Sequence, residues 1–174
     1  MDERALVAQA VASHDAAAFA GLVRLHQGKL RAFLLRLTRG DRALSDDLAQ
    51  ETFLEAFRKI AQYRGDAKFA SWLYSIAYSR LLMEARRRKL EAIDDVPEQT
   101  LDTAPEIKLD LERAMARLSL AERAALTMCF AYGYSHEEAA KILNLPLGTL
   151  KSHVTRGRDR LEAMLRLPEE RKIA

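Results

Sequence analysis

The sequence predicts an all-α protein built from two small helical domains that an acidic linker joins. The composition favours helices, because the 174 residues include only seven glycines and four prolines. Apolar residues recur at steps of three and four. No segment alternates between apolar and polar residues for long enough to predict a sheet. Charge is also distributed unevenly along the chain, in a pattern that separates two modules.

The charge pattern divides the chain at two places. Residues 1–90 contain 16 Lys and Arg against 10 Asp and Glu, residues 91–112 contain 1 against 8, and residues 113–174 contain 11 against 7. From Glu91 to Pro105 the sequence has two prolines, several acids and no sustained period, which predicts a linker before helical pattern resumes near Glu106. The two basic modules, 1–90 and 113–174, indicate a polyanionic partner.

Three stretches predict helices in the first module. Apolar residues between Phe19 and Leu37 follow one face of a helix or helix pair. After a break, Ser45 is predicted to cap a second helix. The buried side of that helix is formed by Leu48, Ala49, Phe53, Ala56, Phe57 and Ile60. Residues 63–66 predict a turn, and a third helix runs from about Ala70 to Lys89. Its buried residues include Trp72, Leu73, Ile76 and Ala77.

The second module contains the parts of a helix-turn-helix in order. Ser135 and Glu138 have the spacing of a capping box at the start of the first helix. Ala140 is small where two helices must cross, Asn144 suits a left-handed turn, and Pro146 stops the first helix. This order of features is typical of DNA-binding proteins and does not indicate which regulator it is.

The second helix of this motif has one apolar and one polar side. Its buried side is predicted to contain Leu147, Leu150, Val154 and Leu161. The opposite side carries polar and basic residues that can reach base edges or phosphates. They are Thr149, Ser152 and Arg156, with Lys151 and His153 on the flanks.

Aromatic residues and cations are concentrated in the first module. Five of the 12 aromatic residues fall within residues 63–78, namely Tyr63, Phe69, Trp72, Tyr74 and Tyr78. Arg64, Lys68 and Arg80 are interleaved with them. Aromatic faces beside cations can hold unstacked single-stranded bases. For Phe69 and Trp72 an aromatic core is the alternative interpretation.

Two motifs, taken in their order along the chain, resemble two regions of one known family. The runs Asp46–Phe57 and Tyr63–Ala77 closely resemble the second conserved region of bacterial sigma factors. Residues Leu118–Leu126 and the helix-turn-helix resemble the fourth region. With only a short linker between them, the chain looks like the extracytoplasmic-function group, and the resemblance covers roughly residues 15–167.

The resemblance implies a sigma factor that binds RNA polymerase core and directs promoter-specific transcription initiation. It implies a docking face for the clamp helices of the largest polymerase subunit, formed by Asp47, Gln50, Glu51, Leu54 and Glu55. Spacings of three and four place these residues on one outward face. It also implies that an anti-sigma protein is a partner.

Two DNA-binding sets also follow from the resemblance. The set for recognising and melting the minus-ten element is Tyr63, Arg64, Lys68, Trp72, Tyr74, Tyr78, Ser79 and Arg80. The set for reading the minus-thirty-five duplex is Thr149, Lys151, Ser152, His153 and Arg156.

The sequence departs from the family's pattern at several positions. Ser119 stands where proline is frequent and remains a good helix cap. His153 stands where arginine is common, and Tyr78-Ser79 where Arg-Asn is frequent. These differences leave the promoter sequence open.

Other function classes are less well supported. The four histidines and Cys129 lack zinc-ligand spacing, and no glycine-rich loop could hold a phosphate, so no enzyme activity, metal or cofactor is predicted. Cys129 is expected to be a small buried residue. No apolar run could span a bilayer and no leader is evident, so the protein is expected in the cytoplasm. Two alternatives stay open, a dimeric one-component helix-turn-helix regulator and a polymerase-bound adaptor.

Overall fold

The computed structural model describes residues 2–91 and 106–165, with side chains for 2–89 and 110–165. Every regular element in these ranges is helical, which confirms the predicted all-α class. Two compact units are present, the first within residues 1–35 and 41–97 and the second within residues 36–40 and 98–174. Most of the predicted linker 91–112 lies outside the described residues.

Four α-helices begin in the described part of each unit. The helices that begin in the first unit are α1 (Glu3–Ser13), α2 (Ala16–Leu37), α3 (Arg42–Lys59) and α4 (Phe69–Glu91), with a 3₁₀ turn at Ile60–Gln62. The second unit contains α5 (Glu106–Ala116), α6 (Leu120–Leu126), α7 (His136–Ile142) and α8 (Leu147–Leu165), with a π-helical turn at Thr127–Ala131. Helix α5 therefore begins inside the segment 91–112 that was assigned to the linker.

Helix α1 was not predicted from the sequence. It buries only Leu6 and Ala10, so its apolar pattern is weak. It packs closely on α2, because a Cβ atom placed on Gly21 would lie 2.9 Å from Cδ2 of Leu6. The absence of a side chain at Gly21 thus permits the close approach of the two helices.

Helix α2 has the predicted extent and buried stripe. The carboxylate of Asp15 accepts hydrogen bonds from the amides of Ala17 and Ala18 at 2.7 and 3.0 Å, so it caps the helix. The predicted apolar residues that are buried are Phe19, Leu22, Leu30, Phe33, Leu34 and Leu37.

The predicted cap of α3 was wrong. Asp41 is the N-cap, and its side chain accepts from the amide of Leu44 at 2.9 Å. Ser45 lies buried inside the helix, where its hydroxyl donates to the carbonyl oxygen of Asp41 at 2.5 Å. The aspartate therefore starts the helix, and an internal hydrogen bond satisfies the serine hydroxyl.

Helix α4 packs against α2 and α3 in the first unit. Leu73, Ile76 and Ala77 are buried as predicted, whereas Trp72 is only half-buried. The ring of Phe33 on α2 lies 5.0 Å from the ring of Tyr74 on α4, so an aromatic pair joins these two helices.

Capping boxes start two helices of the second unit. Ser119 and Glu122 form one at α6, and Ser135 and Glu138 form the other at α7, which confirms both predicted caps. Asn144 has φ 51°, so it adopts the left-handed conformation predicted for the turn between α7 and α8. Cys129, which was expected to be buried, is half-exposed, and desolvation raises the pKa of its thiol.

Candidate nucleic-acid and partner interfaces

One face of α3 presents the residues of the predicted docking set to solvent. Asp47, Gln50 and Glu51 are exposed, and Leu54 is 50% exposed although it is a large apolar side chain. Glu55 is partly buried at the edge of this face. The structure thus brings an exposed leucine and a group of carboxylates together on one helix surface, which we call the acidic face.

An apolar groove overlaps the acidic face. It has a volume of about 490 Å³ between α2 and α3. Its lining includes Phe19, Val23, Phe53 and Phe57, together with the acidic-face residues Asp47, Gln50 and Leu54. The apolar pattern of α3 predicted Phe53 and Phe57 to be buried, whereas both are half-exposed, so the groove was not predicted.

Glu55 connects the acidic face to α4. Its carboxylate accepts a hydrogen bond from Lys59 at 2.5 Å and forms an ion pair with Arg80. The hydrogen bond from Lys59 holds the pKa of Glu55 below its usual value, and the charge of Arg80 adds to this effect against the opposing effect of desolvation. Arg80 is also 3.7 Å from a carboxylate oxygen of Glu51. Arg80, which was predicted to contact DNA, is therefore directed toward α3 in this structure.

The loop before α4 has the composition predicted for a base-holding element. The hydroxyl of Tyr63 donates to the carbonyl oxygen of Ala67 at 2.5 Å, which closes the loop. The ring of Tyr63 lies 5.7 Å from Phe69 and 5.3 Å from Trp72. Phe69 is buried and Trp72 half-buried, so the partly exposed rings of Tyr63 and Trp72 form a small aromatic surface.

Several predicted cations and polar groups surround this aromatic surface or extend along α4. Arg64 and Lys68 are exposed in the loop, where Gly65 has φ 78°. Ser79 is exposed farther along α4. The structure therefore leaves Tyr63, Trp72, Arg64, Lys68 and Ser79 accessible to a nucleic acid.

Two members of the predicted minus-ten set are not accessible. Tyr74 is 3% exposed and Tyr78 is 4% exposed. A ring that is buried to this extent cannot stack on a base, so direct base contact was wrongly predicted for both. The physical reason is that α4 is buried on nearly every side between Leu73 and Tyr78.

Helix α8 presents the predicted reading residues on its outer side. Thr149, Lys151, Ser152 and Arg156 are exposed, and His153 is half-buried. The hydroxyl of Ser152 donates to the carbonyl oxygen of Gly148 at 2.9 Å. The guanidinium of Arg156 lies 3.3 Å from Nδ1 of His153 and 3.3 Å from the carbonyl oxygen of Ser152. Arg156 therefore lies along the helix surface, next to the other groups of the set.

The buried side of α8 differs from the prediction at two positions. Leu150 and Val154 are buried as expected, but Leu147 is 36% exposed and Leu161 is only half-buried. The missed residue is Gly157, which is buried against α6. A Cβ atom at Gly157 would lie 2.9 Å from Cδ1 of Leu126 and 3.3 Å from Cβ of Glu122. This glycine lets α8 approach α6 closely.

A buried carboxylate fixes the same crossing. Glu122 is 3% exposed and accepts a hydrogen bond from Arg160 of α8 at 2.9 Å. Burial opposes its ionisation, but interactions with Ser119 and the charges of Arg160 and Arg156 outweigh that effect, so the pKa of Glu122 lies below its usual value. Glu122 thus caps α6 and holds α8 at the same time.

We expect Gly157→Leu to destabilise the second unit by about 1–3 kcal/mol, because the larger side chain must displace Leu126 or move α8. Gly148→Leu is the matched control, since no atom lies within 4 Å of a Cβ placed there. Urea unfolding followed by circular dichroism measures both. Equal midpoints for Gly157→Leu and the parent protein would contradict the close crossing.

Two kinds of feature are absent from the part of the chain that the structure describes. Among the described side chains, those of residues 2–89 and 110–165, no three of His, Cys, Asp or Glu are grouped so that they could hold a metal ion. None of the helices described there combines the length and the hydropathy that crossing a membrane requires.

Comparisons with known proteins agree on one family. Residues 22–91 match the family described as Sigma-70 region 2, and residues 108–161 match Sigma-70, region 4. The ECF RNA polymerase sigma factor EcfG of Rhodopseudomonas palustris is 36% identical over 143 residues, which cover 78% of each chain. The ECF sigma factor SigM of Mycobacterium tuberculosis is 34% identical over 167 residues, covering 91% of this chain and 84% of SigM.

A solved structure gives the same result. The sigma factor RpoE of Bartonella quintana, crystallised in complex with the anti-sigma factor NepR, superposes with a TM-score of 0.72 at 28% identity. The match covers 87% of this chain and 98% of RpoE. Because both modules match in the predicted order, and relatives above 30% identity are matched over most of their length, the chain belongs to the extracytoplasmic-function (ECF) family of RNA polymerase sigma factors.

Proposed function

We propose that this chain binds RNA polymerase core and directs promoter-specific transcription initiation. The observation that carries the proposal is the presence, in one chain, of a region 2 module with an exposed acidic face and a region 4 module with an exposed polar side on α8. Membership of the family agrees with the prediction that the chain is not an enzyme. The domain limits 1–90, 91–112 and 113–174 are part of this proposal.

The acidic face is the proposed docking surface for the clamp helices of the largest polymerase subunit. Leu54 offers exposed apolar area at its centre, and Asp47 and Glu51 supply negative charge around it. An apolar anchor surrounded by charges suits a specific interface, because the anchor contributes affinity and the charges contribute orientation.

The loop 63–68 and the start of α4 are the proposed minus-ten element. The half-exposed rings of Tyr63 and Trp72 can stack on unpaired bases, while Arg64 and Lys68 can neutralise nearby phosphates. Unstacking a base costs a few kcal/mol. New stacking and phosphate contacts offset that cost, so opening of the duplex does not require nucleotide hydrolysis.

Helix α8 is the proposed reader of the minus-thirty-five duplex. Its exposed side combines hydroxyl groups with the guanidinium of Arg156, and these groups suit both base edges and phosphates. Glu122 and Gly157 fix the crossing of α8 with α6. This crossing determines the direction in which the exposed side of α8 faces.

An anti-sigma protein is the proposed regulator, and the cytoplasm is the proposed location. The Bartonella quintana sigma factor was crystallised with an anti-sigma factor, and in the present chain residues of the acidic face line part of an apolar groove. A protein that fills this groove would also cover Leu54 and compete with polymerase.

Gel filtration with purified polymerase core, followed by run-off transcription, tests the proposed function. A sigma factor should elute with core at a one-to-one ratio, and the complex should initiate at specific promoters. Elution apart from core as a DNA-binding dimer would overturn the proposal in favour of a one-component regulator, against which both family matches argue. Elution with core but without promoter-specific transcripts would instead indicate an adaptor.

A further inference from the structure

Arg80 lies where two functional surfaces of the first unit meet. It belongs to α4, one residue after the exposed Ser79, and its guanidinium is directed to the carboxylates of Glu51 and Glu55 on α3. Those two carboxylates belong to the acidic face. One cation of the proposed DNA-binding helix is therefore held by the proposed polymerase-binding helix.

The ion pairs of Arg80 are weak enough for its carboxylate partners to be replaced by other groups. Its side chain is 27% exposed, and those of Glu51 and Glu55 are 56% and 20% exposed, so solvent reaches all three groups. The Nε atom of Arg80 is buried and has no hydrogen-bond partner among the described residues. Lys59 also binds Glu55, so this carboxylate would keep a cationic partner if Arg80 left. Ion pairs with this much exposure change an equilibrium only about two- to fivefold.

We propose that this ion pair withholds Arg80 from DNA in the free protein, and that docking of polymerase on Glu51 and Glu55 releases it. The inference rests on the proposed function. A cationic group of the partner that approaches the two carboxylates replaces Arg80, which then becomes available to a phosphate of the minus-ten strand. Binding of polymerase and binding of promoter DNA are thereby coupled through one side chain.

The first test measures DNA binding by the free full-length protein. The probe is a labelled oligothymidylate of about 15 nucleotides, since a phosphate contact does not depend on sequence. We expect Glu55→Gln to raise affinity about two- to fivefold by releasing Arg80. In the parent protein Arg80→Gln should change affinity less than about twofold, whereas in the Glu55→Gln background it should remove the gain.

Asp46→Asn is the matched control for charge. Asp46 lies on the same helix and forms an ion pair with Arg31 at 3.1 Å, so its replacement removes one carboxylate and frees one arginine without touching Arg80. An increase with Asp46→Asn as large as that with Glu55→Gln would overturn the inference, because general charge would then explain both effects.

The second test repeats the Arg80→Gln measurement with polymerase core present. We expect the variant holoenzyme to bind the probe about two- to fivefold more weakly than the parent holoenzyme. An equal effect with and without core, or no effect in either state, would overturn the inference. Elution of the parent protein with core separates these outcomes from failure of the proposed function, which would show as no complex at all.

Discussion

Leu54→Arg should reduce the affinity for polymerase core about 10- to 100-fold while leaving the fold intact. The leucine is 50% exposed at the centre of the acidic face, so the free protein loses little when it is replaced. In a complex, burial of a leucine side chain is worth roughly 1.5–3 kcal/mol. An arginine at this position forfeits that gain and places its charge in the apolar centre of the interface.

Leu25→Arg is the control for this substitution. Leu25 lies on α2 and is 52% exposed, so the same change is made at nearly the same exposure but away from the acidic face. Core affinity by fluorescence anisotropy and thermal unfolding by circular dichroism should be measured for both. Equal affinity of the two variants for core would show that Leu54 is not part of the docking surface.

Glu51→Arg should also weaken docking, but for two reasons that must be separated. It reverses a charge on the acidic face, where like charges across an interface cost several kcal/mol. It also introduces repulsion against Arg80, which lies 3.7 Å from Glu51 in the present structure. Glu51→Gln removes the charge without that repulsion and should have a smaller effect on core binding.

The helices and caps of the second unit could be predicted because their signals are local. Ser135 and Glu138 form a capping box within four residues, and Asn144 adopts its turn conformation by intrinsic preference. Local signals also have a limit, which α3 illustrates. Asp41 and Ser45 are both good caps by type, and the sequence does not say that Asp41 starts the helix.

The failures of prediction arise from contacts between distant segments. Tyr74 and Tyr78 have the residue type expected of a base-stacking surface, but the helices packed around α4 bury them. Arg80 has the charge expected of a DNA contact, but its ion pair with Glu55, 25 residues earlier, could not be predicted from the sequence. Gly157 carries no side-chain signal, and its importance follows only from the approach of α6. Each of these outcomes depends on tertiary neighbours that periodicity does not reveal.

Arg156→Ala should weaken recognition of the upstream promoter element about 10-fold or more without reducing the affinity for core. The side chain is exposed on the outer side of α8, beside Ser152 and His153. A base-specific arginine contact is worth roughly 1–3 kcal/mol of discrimination. The hydrogen bonds of this guanidinium are to groups of its own helix, and Arg160 keeps its bond to Glu122, so removal of Arg156 should leave the crossing of α8 with α6 in place.

Arg158→Ala provides the comparison on the same helix. Arg158 has a side chain that is 66% exposed, but it lies outside the proposed reading set. Reconstituted holoenzymes should be compared on a promoter obtained by selection and on the same duplex with a scrambled upstream element. If Arg156→Ala lowers affinity equally for both duplexes, Arg156 contacts phosphate, because phosphate contacts weaken binding uniformly across sequences. Sequence reading would then have to depend on the exposed Lys151 and Ser152 or on the half-buried His153, which lies 3.3 Å from the guanidinium of Arg156.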